Sequence, residues 1–178
     1  MKMKYHFLGL AFLLLLLNSC KSDPVEDYFV EATESPDFFV VNIPANFITF
    51  DESKLDEDTK KQLKSIKKIN ILVYRNDYDI NKKKEEFDKA AKLLNHKQYK
   101  TLLKIKNEGY EVVFTYEGNS RQIDQLLFLG KDQNYNFILG RLKGQNLNIK
   151  NLSKALKHVK QVNKSQAQPL LDIIKNES

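Results

Sequence analysis

Between Tyr99 and Leu142 the chain has no room for a crossover connection, and that decides its architecture. Four β-type runs, Leu102 to Lys106, Tyr110 to Glu117, Gln122 to Gly130 and Tyr135 to Leu142, are joined by Asn107-Glu108-Gly109, Gly118-Asn119-Ser120 and Lys131-Asp132-Gln133-Asn134. Parallel strands need a connection of a dozen or more residues, whereas short turns rich in Gly, Asn and Asp send the chain back antiparallel. In the second run Tyr110, Val112, Phe114 and Tyr116 share one face, while Glu111, Thr115 and Glu117 share the other. That is the period of two expected of a strand. The sequence therefore predicts a four-strand antiparallel meander.

Upstream, strand and helix patterns alternate. Phe38 to Ile43 is a β-type run stopped by Pro44, and Pro44 to Phe50 is read as the start of a helix with Pro in its first turn. Asp56-Glu57-Asp58 opens a helix over Thr59 to Lys68, its acids placed at the positive end of the dipole. Ile69 to Tyr74 is the next strand. Asn81 is expected to cap a further helix, in which Phe87, Ala90, Ala91 and Leu94 fall at i, i+3, i+4 and i+7. A last helix runs from Ile149 to Val159, with Ile149, Leu152, Leu156 and Val159 inward. The expected fold class is α+β: an antiparallel (mixed) sheet with a C-terminal four-strand meander and helices packed on one face.

The N-terminus belongs to none of this. Lys2 and Lys4 precede an unbroken apolar run from Phe7 to Leu17, about half the ~20 residues a membrane-spanning helix needs. A charged start and a short apolar core form the layout of an export signal. Leu17-Asn18-Ser19-Cys20 resembles the lipobox of bacterial lipoproteins, with Asn18 departing from the usual small residue at its position. The resemblance implies cleavage before Cys20, a diacylglyceryl group on its sulfur and acylation of the freed amine. Cys20 is the sole cysteine, so no disulfide and no thiol metal site is expected. Two or more acyl chains anchor a protein stably, since each buried CH₂ contributes ~0.8 kcal/mol.

These readings divide the chain into a signal peptide over 1–19, an acidic tether over 20–37, a single α+β domain over 38–162 and a C-terminal tail over 163–178. The tether is read from its acids, from Pro24 and Pro36, and from the lack of a sustained period. In the tail, Leu170, Leu171, Ile173 and Ile174 suggest a weakly docked helix starting at Pro169.

No catalytic signature stands out. His96 and His158 are isolated, no ligand cluster has metal spacing, and no cofactor-binding motif or nucleophile elbow occurs. Asp77 and Asp79 read as a polar turn rather than a carboxylate pair. Phe38, Phe39, Phe47 and Phe50 read as core rather than as the lining of a ligand cavity.

Charge is the feature above background. The whole chain is +6, but residues 20–60 hold eleven acids against three bases, and residues 61–178 hold twelve acids against twenty-four bases. Lys150, Lys154, Lys157 and Lys160 recur at helical spacing. They form either a solvated face or a basic contact face for anionic lipid or an acidic partner. Nucleic acid is disfavoured by an exported location.

The chain also resembles a family of Bacteroidetes lipoproteins known as domain-of-unknown-function family 4252. The resemblance spans Phe38 to Lys160 plus the signal. It rests on Val41-Asn42-Ile43-Pro44, the Ile69–Tyr74 strand, Tyr99 to Leu103 and Phe137 to Gly144. It implies no reaction and no functional residues. It does imply a cell-envelope location, lipid-anchored to a membrane and in the outer membrane by preference. Lys21-Ser22-Asp23 faintly resembles surface-routing signals, which leaves the periplasmic and outer-facing sides open. The expected role is a non-catalytic binding or assembly module with an envelope protein or anionic surface as partner. An envelope-stress or signalling accessory is the alternative, and an enzyme a distant third.

Overall fold

The computed structural model describes residues 23–44, 46, 48–74, 79–119 and 121–162. Its elements in chain order are α1 (Pro24–Glu34), β1 (Phe38–Ile43), β2 (Ile48–Phe50), α2 (Glu57–Ser65), β3 (Ile66–Tyr74), α3 (Ile80–Leu94), β4 (Tyr99–Asn107), β5 (Tyr110–Asn119), β6 (Gln122–Lys131), β7 (Phe137–Leu147), α4 (Ile149–Leu156) and β8 (Val159–Val162). Six strands form one antiparallel sheet in the order β1-β3-β7-β6-β5-β4, and β2 pairs with β8 in a separate ribbon. The fold is α+β, and β4 to β7 are the meander that the short turns require.

Several local expectations are corrected. Residues 24–34, expected as tether, form α1. Asp23 accepts from the Val25 amide at 3.1 Å, Pro24 occupies the first turn, and Val25, Tyr28, Phe29 and Ala32 are buried at i, i+3, i+4 and i+7. The apolar stripe was present, diluted by the acids between its members. Asp79, not Asn81, caps α3, accepting from the Asn81 amide at 2.8 Å. The helix expected at 44–50 is replaced by β2, where a β-branched pair and Phe50 suit a strand better. The last helix stops at Leu156, and Val159, expected inward on it, starts β8 at 38 % exposure. The Leu156 side chain lies outside what is described.

Register assigns each strand residue to a face. On one face Val40, Leu72, Leu139, Leu129 and Val113 form a row across five strands. Over it lie α1, through Val25, Tyr28, Phe29 and Ala32, and α3, through Phe87, Ala90, Ala91 and Leu94. Leu72, Leu127 and Leu139 are fully shielded there. Tyr74 stacks on Phe137 at 5.3 Å, and Phe38 meets Tyr74 edge-on at 4.9 Å, an arrangement that adds orientation to burial. The other two helices, α2 and α4, pack on each other beside β7.

Candidate binding surface

The opposite face of the sheet is also apolar. It consists of three rows set by register: Phe39, Val73, Ile138, Gly130, Val112 and Ile105; then Val41, Ile71, Gly140, Phe128, Phe114 and Leu103; then Ile43, Ile69, Leu142, Leu126 and Tyr116. Tyr110 and Asn107 close the β5 and β4 ends. The third row ends on β4 at Lys100, the register partner of Tyr116, and is otherwise uncharged like the other two. Among the described residues only the β2–β8 ribbon reaches over one corner, where Ile48 packs by Ile43, Val41, Ile69 and Ile71. Elsewhere the face meets solvent, with Tyr110 at 67 %, Leu103 at 50 % and Ile105 at 47 % exposure. Contiguous apolar patches of more than a few hundred Å² are rare on soluble monomers and mark contact surfaces.

Glycines shape this face. The Phe128 ring lies across Gly140, where any Cβ would collide with it, so the ring replaces the missing side chain. At Gly130 a Cβ would meet only Val112 at 3.5 Å and Ile138 at 3.6 Å. Gly130 floors a groove of about 360 Å³ walled by Tyr110, Val112, Val73 and Ile138. The face therefore carries a hollow beside a protruding aromatic ring.

The buried face carries a polar cluster that no spacing rule revealed. Arg141 is 1 % exposed, yet its guanidinium donates to Gln125 Oε1 at 2.6 Å, to Glu26 and to Asp23. Gln125 Nε2 donates in turn to Glu117 at 2.7 Å and Asp23 at 3.1 Å, and the Tyr99 hydroxyl donates to Asp23 at 2.8 Å. The Arg141 bond holds the Glu26 carboxyl at about 2, with Lys68 adding to the effect. Burial alone would raise Asp23, but bonds from Tyr99, Arg141 and Gln125 outweigh it and keep the group below its ordinary value. Burial and the Asp23 contact push the Tyr99 hydroxyl up. Every member is satisfied, so the cluster clamps the start of α1 to β6 and β7; it is not a vacant site.

The residues singled out in the sequence fall as follows. Cys20 lies outside the described residues, with only Lys21 and Ser22 between it and Asp23. Lys150 and Lys154 lie on α4, Lys157 caps it and Lys160 sits in β8, so the expected lysine stripe is broken at its end. Lys154 donates to Asp56 at 2.6 Å and drives that carboxyl well below its ordinary range, while Lys160 lies 3.5 Å from Asp51. Lys150 and Lys157 have no ion pair among the described residues. Asp77 is outside them, and Asp79 serves as a cap. Phe38 joins the core, Phe39 lies on the bare face and Phe47 is outside the described residues. Phe50 lines a groove of about 720 Å³ with Ile48, Leu63 and Ile66. Its polar rim carries both signs of charge, Lys60 and Lys160 beside Asp51 and Glu52, with Lys60 bonded to Glu57.

Among the described residues no group of three or more His, Cys, Asp or Glu could hold a metal, and no helix is long and apolar enough to cross a membrane. Neither a curated protein nor a solved structure matches the chain. The family described as Domain of unknown function (DUF4252) matches residues 28–155, from the first turns of α1 to α4. On that match, which covers most of the chain, the protein belongs to the DUF4252 family.

Proposed function

We propose that this protein is a cell-envelope lipoprotein, acylated on Cys20, that works as a non-catalytic docking module. The observation that carries the docking is the bare, largely apolar face opposite α1 and α3. Its natural occupant is another protein's apolar sheet surface, because flat apolar rows pack on their like at about 10 Å with interdigitating side chains. The anchor is supported by Lys2 and Lys4, the Phe7–Leu17 run and Leu17-Asn18-Ser19-Cys20. With only two residues between Cys20 and the clamped Asp23, the acyl chains would emerge beside α1, within ~10 Å of extended chain. The bare face, on the other side of the sheet, then stays open to a protein.

Two measurements test this reading. Intact-mass analysis of the protein from its native membrane should find an N-terminus at Cys20 carrying acyl chains, and an uncleaved or unlipidated chain would remove the anchor. Maleimide should label Phe114→Cys in the isolated full chain as fast as a free thiol. Slow labelling of a single chain would remove the open docking face.

A further inference from the structure

We infer that the outer edge of β1 takes up an extended segment of a partner protein as a seventh strand, with a lysine or arginine near the segment's C-terminal end. This edge is a different surface from the bare face, so the inference goes beyond the docking reading and stands apart from it.

The backbone is the first argument. β1 ends the sheet and pairs only with β3. In an antiparallel ladder alternate residues turn their N–H and C=O groups away from the neighbouring strand. Phe38 gives its amide to the Ser35 carbonyl at 3.3 Å, so it belongs to the outward set together with Val40 and Asn42. Among the described residues no hydrogen bond reaches the outward backbone groups of Val40 or Asn42. Unpaired donors and acceptors at this spacing are met by another strand.

The opposite edge supplies the second. β4 carries Lys100, Lys104 and Lys106 and shifts register between Thr101 and Leu103, and both features discourage a further strand. β1 has neither guard. Phe38 to Ile43 holds no charge, and the register is regular from Phe38 opposite Tyr74 to Ile43 opposite Ile69.

A groove at the Phe38 end is the third. It holds about 290 Å³ over Tyr28, Ala32 and Phe38, and its rim sets Glu31, Asp37, Glu85 and Glu86 against Lys82 and Lys89. On an antiparallel seventh strand the residue opposite Phe38 lies on this side of the sheet, toward the segment's C-terminus. A basic side chain there lays its stem on the rings and carries its charge to the acidic rim. That requirement separates the partners. A second copy's β1 contains no base. Residues 163–178 lack an uncharged run of this length, since Asp172 parts Leu170-Leu171 from Ile173-Ile174. On the lipoprotein reading, Phe7 to Leu17 leaves with the signal. A segment of another protein meets all the conditions.

The test uses the mature full chain and a peptide probe of about eight residues, alternating valine and threonine with lysine at both ends. The probe should slow hydrogen exchange of the Val40 and Asn42 amides at least about tenfold. A probe N-methylated at every valine and threonine should not. Val40→Pro removes an outward amide that β3 does not use, so it should abolish binding with an unchanged circular dichroism spectrum. Exchange in the wild type decides should that variant not fold. Replacing the probe's C-terminal lysine with glutamate should weaken binding more than about fivefold. No slowing, slowing at β4 instead, or equal binding of either altered probe overturns the inference. Amides already protected in the probe-free chain overturn it too. Sedimentation at twice the chain mass then assigns the edge to a second copy, and release on removing residues 163–178 assigns it to that segment. The bare face answers separately to Phe114→Cys labelling, so either reading can fail alone.

Discussion

The two faces of the six-stranded sheet both carry long apolar rows and end in different states. On one, the row through Leu72 and Leu139 is sealed by α1 and α3. On the other, the row through Ile71, Phe128 and Phe114 is left open. The apolar rows do not separate them, so the polar residues of the covered face direct α1 to its side. Arg141 is the difference. Its buried charge needs Asp23 and Glu26 at the start of α1, and placing α1 on the bare face would leave that charge uncompensated at a cost of several kcal/mol. Apolar area drives the packing here, and one buried ion cluster selects the face.

That contrast can be broken by experiment. Leu139→Ala should have the largest effect, lowering unfolding free energy by about 3–4 kcal/mol in urea titrations, because the site is fully shielded and tightly packed. Arg141→Met should cost about 3 kcal/mol, since it leaves Asp23 without its cation and Glu26 with only Lys68 and Lys143. If it costs nothing, the cluster does not choose the face.

The same cluster sets an acid sensitivity. Glu26 falls from an ordinary 4.5 to about 2 on folding, and Asp23 is lowered too. Depressed carboxyls stabilise the fold above their ordinary values and lose that contribution as pH falls toward the folded ones. The urea midpoint should therefore drop between about pH 5 and pH 2, and drop less in Arg141→Met.

Asp56→Ala should lower the urea midpoint by less than Arg141→Met does, by removing the α2 cap and its bond from Lys154. Leu103→Ala, at a half-exposed position on the bare face, should change monomer stability by no more than about 0.5 kcal/mol. Should it match Leu139→Ala, the two faces are equally covered in solution and the comparison collapses.

Much of this architecture was legible in the sequence. The turns between 107 and 134 dictated the meander, and Phe87, Ala90, Ala91 and Leu94 marked the packed side of α3. Runs such as Phe38-Phe39-Val40-Val41 and Ile71-Leu72-Val73-Tyr74, apolar at consecutive positions, have the pattern of strands apolar on both faces, which the expectation of helices on one face did not use. Which face would be covered was not legible, because coverage depends on where helices land. Arg141 in Phe137 to Gly144 reads as an ordinary strand charge, and its partners Glu26 and Asp23 lie 115 and 118 positions away, beyond any periodic pattern. The helix in the acidic stretch was missed for a local reason: Val25, Tyr28, Phe29 and Ala32 are an amphipathic set, masked by three acids among them and by prolines at both ends. Those prolines in fact mark its first turn and its exit.

On the lipoprotein reading, the closeness in sequence of Asp23 to Cys20 bears on the order of events during export. The bond cut before Cys20 would lie three residues from a side chain that the fold holds in place. Asp23 is gripped by Arg141, Gln125 and Tyr99, and only Lys21 and Ser22 separate it in sequence from Cys20. On the lipoprotein reading, maturation then has a deadline. Lipid transfer and cleavage come first, and the closing of α1 onto the sheet comes after.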